Sequence, residues 1–246
     1  MQNELFSVLD TVESTNNYAI EKIKQGFGID GKAWFAKEQW GGKGQRGKNW
    51  LSEPNQNIIL SIILKPNELF FENPFYFSAH IASVCRDFIA ELGLSKTKIK
   101  WPNDLYINDR KAGGVLIENI YAGSKWEWAI IGIGININQR EFEIDSDSIT
   151  SITNETKIVY DPINLSSKLH GKILSSLKKI NKENFDDGLK TLNNHLYKKQ
   201  TLVNFLQKEE IVVAAINFVN EKGQLVVKTN ETLFFNIGDV VWLKTK

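Results

Sequence analysis

Cysteine is nearly absent from this chain: Cys85 is the only one in 246 residues. No intrachain disulfide and no cysteine-built zinc site can form. Cys85 falls on an apolar helical stripe, where a buried, inert thiol is expected rather than a nucleophile. Histidine is equally scarce. His80, His170 and His195 are scattered, with no HExxH spacing, so a metal cage built by the protein is not expected. Apolar runs never approach the roughly 18 residues that a membrane span needs. The opening MQNELFSVLD lacks the basic-then-apolar layout of a signal peptide. An excess of one charge is missing too: 30 Lys and Arg against 29 Asp and Glu leave +1, so nucleic-acid binding would need locally clustered cations. These absences predict a cytoplasmic, soluble protein with no membrane partner.

What is present suits a packed core. Hydrophobic residues make up 42% and charged residues 24% of the chain, which fits one large domain or a medium one with a small companion. Residues 5–9 and 33–37 read as strands, with a helix between them capped near Ser14, Thr15 and Asn16 and carrying Tyr18, Ala19, Ile20 and Ile23 on one face. Residues 57–65, NIILSIILK, predict a strand buried on both faces. The spacing over 74–92 predicts a helix opened by Pro74 and stopped by Gly93. Strands follow at 97–101, 105–107 and 114–121, the last two joined by a tight Asn108-Asp109 turn, and another at 126–138. Trp126 and Trp128 fall on one face of that last strand, as core or an interface patch. Helices are expected from Asp161-Pro162 onward and over 184–197. Beyond residue 200 only short strands and hairpin signals remain, which predicts a small β-barrel appended to an α+β domain.

Residues 41–50, GGKGQRGKNW, satisfy two phosphate-binding patterns at once: G-x-G-x-x-G and the start of G-x-x-x-x-G-K. Both patterns require a helix directly after the loop, because its N-terminal amides hold the phosphate. Here Pro54 and then a strand follow, and Asn49 stands where a Mg²⁺-binding hydroxyl belongs. Neither pattern applies. What remains is chemical: glycines that allow close backbone approach, and Lys43, Arg46 and Lys48 within six residues. Such a loop is expected to be mobile when empty and to close on an anion.

A second stretch, KWPNDLYINDRKAGGVLIE at 100–118, joins a rigid turn, the Asp104 carboxylate and the Arg110-Lys111 cations to a glycine pair. With Ser14-Thr15-Asn16, Gln39 before the loop and GIGIN ending at Asn136, the chain resembles the biotin protein ligases, the biotin–[acetyl-CoA-carboxylase] ligases, along nearly its whole length.

The resemblance implies a class II synthetase-like catalytic domain, a mixed sheet flanked by helices, over residues 1–198. It implies an SH3-like barrel over 199–246. It also implies joining of biotin to ATP, with Mg²⁺ carried in by the nucleotide, as biotinyl-5′-AMP, then transfer to a lysine of a biotin carboxyl carrier protein. By position, Ser14, Thr15, Asn16, Gln39, Lys43, Gly44, Gln45, Lys111 and Gly114 fall at the biotin side. Lys43, Arg46, Lys48, Trp50 and Asn136 fall at the nucleotide side. Lys111, Asp104 and Arg46 are the implied catalytic groups.

Two departures stand out. Lys43 and Gln45 replace the arginines of the usual G-R-G-R-x-G, which costs the bidentate fork and one charge. Only thirteen residues precede Ser14, which predicts a monofunctional ligase without a DNA-binding domain or specific DNA binding. A homodimer through the strand at 126–137 as an exposed edge is a further expectation. A lipoate or octanoate ligase of the same superfamily, and a nucleic-acid-binding module, are the competing readings.

Overall fold

The structure is a computed structural model that describes residues 4–142 and 148–243. A seven-stranded mixed sheet forms its body, in the order β1-β2-β3-β7-β6-β5-β4. β1 (Phe6–Val12) pairs in parallel with β2 (Ala33–Gln39), across the helix α1 (Thr15–Lys24). The remaining pairs are antiparallel: β3 (Ile58–Leu64), β4 (Lys98–Lys100), β5 (Asp104–Ile107), β6 (Arg110–Ala122) and β7 (Lys125–Ile135).

β3 explains the layering. Its even-numbered residues Ile58, Leu60, Ile62 and Leu64 join the main core, under α2 (Pro74–Glu91) and α4 (Pro162–Leu177). Its odd-numbered Ile63 joins a smaller cluster with Ala19, Trp34, Trp128 and Ile130 beneath α1. Both faces are covered, so the strand can be apolar throughout. α2 begins as its sequence predicts, with Pro74 in the first turn and the Asn73 side chain accepting from the Phe75 amide at 3.3 Å. Cys85 is fully buried there, and burial pushes its thiol up to about 12. A short α3 (Ile152–Thr156), unforeseen from the sequence, and α5 (Asp187–Asn194), shorter than expected, complete the helices among the described residues.

The second sheet begins at Leu202. β8 (Leu202–Gln207), β9 (Glu210–Val219), β10 (Leu225–Lys228), β11 (Thr232–Phe235) and β12 (Val240–Trp242) pair antiparallel in the order β11-β10-β9-β8-β12. It is docked on the body by buried polar contacts. The Trp101 indole donates to Gly223 O at 2.9 Å, and the Val219 amide to Asn193 Oδ1 at 2.7 Å.

Two expectations need correction. The strand containing 126–137 is not a sheet edge: its residues Ala129–Ile135 are paired with β3 on one side and β6 on the other. It offers no row of free amides there for a second copy. Trp126 and Trp128 do not share a face either. The register passes from Ile120↔Trp128 to Tyr121↔Trp126, so Glu127 is an extra residue, a bulge that flips the alternation. Trp126 packs edge-on against Phe77 in the main core, while Trp128 lies in the cluster under α1.

Candidate active site

A cavity of about 440 Å³ opens on the α1 side of the large sheet, a volume usual for a small-molecule site. Its floor is the paired strands β3, β6 and β7, and glycines make that floor accessible. A Cβ on Gly132 would stand 2.5 Å from Asn16 Oδ1, and one on Gly134 would stand 2.6 Å from the Trp50 ring. Only bare backbone at both positions lets those side chains lie on the sheet.

One end of the cavity is built from neutral hydrogen-bonding groups. Ser14 caps α1 by accepting from the Asn17 amide at 3.4 Å. The next amide, Thr15, is taken by Gln39 Oε1 at 2.9 Å. Asn16 is buried and fixed at both atoms: Nδ2 donates to Glu118 Oε2 at 2.7 Å, and Oδ1 accepts from Ser61 Oγ at 2.6 Å. Glu118 and Ser61 were not singled out from the sequence. Ser61 sits inside an apolar run, and Glu118 lies 102 residues from its partner.

The other end is cationic. Lys111 Nζ lies 2.6 Å from Asp104 Oδ1 and 5.9 Å from the centre of the Trp50 ring. Gly114 sits opposite Asp104 in the ladder, and a Cβ there would come within 3.1 Å of the carboxylate. The loop lies over this end. Lys43 bridges to Asn49, its Nζ donates to Asn17 Oδ1 at 2.7 Å, and the Gly44 amide donates to Lys48 O at 2.6 Å. Gln45–Gly47 form a single 3₁₀ turn with Arg46 left-handed at φ 58, and no α-helix follows, in line with rejecting both phosphate-loop patterns.

Ser14, Thr15, Asn16, Gln39, Lys43, Gly44, Gln45, Arg46, Lys48, Trp50, Asp104, Lys111 and Gly114 therefore all reach the cavity wall. Asn136 does not. It lies behind the wall, buried, with its Nδ2 donating to Thr150 O at 3.0 Å.

Two further groups line the wall. One is the turn and strand Ile237, Gly238, Val240, Val241 and Trp242 from the second sheet. Arg46 rests against Gly238, with its guanidinium carbon 3.2 Å from where a Cβ would be. The other is Lys100, whose Nζ donates to Tyr106 Oη at 3.2 Å and stands 5.0 Å from the ring centres of both Tyr106 and Trp242. Burial pushes the Lys100 ammonium down to about 8; Asp104 opposes that shift, while Lys111, Lys198 and Lys48 add to it. Its place in the KWPND run was visible, but only the fold turns it toward the cavity. Among the described residues, no three His, Cys, Asp or Glu side chains gather into a metal cluster.

Known proteins resemble this chain in sequence and in fold. The model of the biotin/lipoate A/B protein ligase family matches residues 8–136. The bifunctional ligase/repressor BirA of Salmonella typhimurium is 32% identical over 82% of this chain and 60% of its own. That of Escherichia coli is 36% identical over 46% of this chain and 34% of its own. The chain thus spans between about a third and three fifths of the length of these curated relatives. A solved structure, the biotin protein ligase from Aquifex aeolicus in complex with biotin and ATP, superposes with a TM-score of 0.81 at 24% identity, covering 99% of this chain and 100% of that one.

Proposed function

We propose, from the premise that this chain belongs to the biotin/lipoate A/B protein ligase family, that it activates biotin with ATP as biotinyl-5′-AMP and passes the biotinyl group to a lysine of a carrier domain. The carrying observation is the two-ended cavity: neutral donors and acceptors around Ser14, Thr15, Asn16 and Gln39 at one end, and Lys111, Asp104 and the loop cations at the other. A ureido ring with a short acid tail suits such a site, its neutral head at the first end and its carboxylate at the second. Relatives named as biotin–[acetyl-CoA-carboxylase] ligases, and the biotin and ATP named for the similar solved structure, favour biotin over lipoate or octanoate.

Bringing a carboxylate to a triphosphate costs about 4 kcal/mol per charge pair at 4 Å and an effective dielectric near 20. Lys111, Lys43, Arg46 and Lys48, with the Mg²⁺ of the MgATP substrate, offset that repulsion. In this reading Lys111 leaves Asp104 to hold the acid's carboxylate and the α-phosphate, and the Trp50 face receives the adenine. The carboxylate oxygen attacks the α-phosphorus and pyrophosphate departs. The carrier's amine then attacks the acyl carbon and AMP departs, so no Ser or Cys nucleophile is required. A loop ordered over the mixed anhydride excludes the water that would hydrolyse it. We take residues 1–198 as the catalytic domain and 199–246 as a second domain that lends the wall from Ile237 to Trp242.

ATP–pyrophosphate exchange with biotin, lipoate and octanoate in parallel tests the first step. Exchange with biotin alone, lost in Lys111→Ala, supports the reading; exchange driven by lipoate or octanoate moves the protein to the sister activity; no exchange with any acid refutes an adenylating function.

A further inference from the structure

We propose that Lys100 is a positioning residue of this site: a second cation that receives Asp104 when Lys111 turns to the substrate. The inference rests on the adenylating reading above for the event that calls Lys111 away.

The ladder supplies the geometry. In the β4–β5 pair Lys100 stands directly opposite Asp104, and in the β5–β6 pair Asp104 stands opposite Gly114. Directly opposed residues in an antiparallel pair have Cβ atoms about 4.5–5.5 Å apart and share a face. Asp104 therefore lies between two lysines on one surface: Lys111 at 2.6 Å, and Lys100 across the hairpin. Lys111 holds the carboxylate. Lys100 instead donates to Tyr106 Oη at 3.2 Å, its ammonium over the rings of Tyr106 and Trp242.

An anionic acyl phosphate at Lys111 would draw that lysine away and leave the Asp104 carboxylate facing the second lysine on its surface. Lys100 is suited to step in. Its ammonium sits on a flexible four-carbon stem with three donors, so it can keep the Tyr106 contact while gaining Asp104. The charged groups that bear on it are Asp104, which favours its charged form, and Lys111, Lys198 and Lys48, which oppose it. A polyanion bound between the lysines removes that opposition. Because Trp242 belongs to the second sheet, the exchange of partners is also felt there.

A double-mutant cycle read by lysine NMR titration of ligand-free protein tests the exchange without any turnover, using Asp104→Asn, Lys111→Met and the pair. If Asp104 passes to Lys100 once Lys111 is gone, Asp104→Asn lowers the proton affinity of Lys100 about tenfold more in the Lys111→Met background than in the wild type. An equal effect in both backgrounds, the mark of simple additive charge, overturns the proposal. In pyrophosphate exchange, Lys100→Met is expected to lower kcat about tenfold or more with the KM of the acid changed less than about threefold, and Lys100→Arg to restore most of the rate. Unchanged exchange in Lys100→Met, or equal loss in Lys100→Arg, contradicts it. Should wild type exchange with no acid, the ligase reading fails, while the titration cycle still decides whether Lys100 and Asp104 are coupled.

Discussion

The Trp50 indole lies directly on the backbone of Gly134, so close that a Cβ at that position would be 2.6 Å from a ring carbon. The ring also sits 5.9 Å from the Lys111 ammonium, which makes Trp50 the wall between the loop and the ion pair. Gly134→Ala must therefore push the indole off the sheet. We expect a stability loss of about 1–3 kcal/mol from overpacking. The KM for ATP should rise about tenfold, while that for biotin changes far less. Urea unfolding and exchange kinetics check this together, and an unshifted ATP KM would remove Trp50 from the nucleotide end.

Lys111 and Asp104 form an ion pair with about 30% of each side chain still exposed, at 32% and 27%. Such a pair adds little to folding, about 0–1 kcal/mol. Lys111→Met should thus leave the urea midpoint nearly unchanged while exchange falls at least about a hundredfold. A large loss of stability with matching loss of activity would mean that the lysine is structural.

Acid sensitivity should trace in part to His170. Its ring is fully buried, with Nε2 2.7 Å from Gly31 O and Nδ1 without a partner, and burial holds its pKa below the ordinary value. The folded state thus resists protonation while the unfolded chain accepts it, so this contribution to stability is present above the unfolded pKa and is lost as pH falls below it. His170→Phe, which can still pack on Phe6, should flatten the fall in stability below about pH 6.5. Denaturant melts of both proteins across that range decide it; parallel curves would exclude His170.

The loop carries Gln45 on the cavity wall, at a position where the resemblance implies arginine. Gln45→Arg adds a charge-assisted donor and should slow escape of the acyl-adenylate. Release of intermediate in single-turnover experiments, with no carrier present, is the readout, and an unchanged escape rate would show that Arg46 already fills the role.

Much of this was legible in the residues because local rules act locally. Pro74 announces α2, and Asn108 and Asp109, both with positive φ, close the β5–β6 turn as a two-residue hairpin requires. The loop was correctly separated from phosphate-loop patterns by Pro54 and by the absence of a helix behind it. What the sequence hid depends on long-range register. The bulge at Glu127 separates Trp126 from Trp128, although their spacing alone puts them on one face. The order of strands buries the run at 129–135 in the middle of the sheet, although its composition equally fits an edge. Glu118 and Ser61 fix Asn16, and Lys100 meets Trp242, only because elements far apart in the chain are adjacent in space, and the glycines of GIGI gain meaning only once Asn16 and Trp50 are seen lying on them.

The most direct test of the central claim is mass spectrometry of a purified biotin carboxyl carrier domain incubated with this protein, MgATP and biotin. The account predicts the mass gain of one biotinyl group, confined to a single lysine, dependent on ATP and abolished by Lys111→Ala. A carrier left unmodified by biotin, or modified only when lipoate or octanoate is supplied, would contradict it.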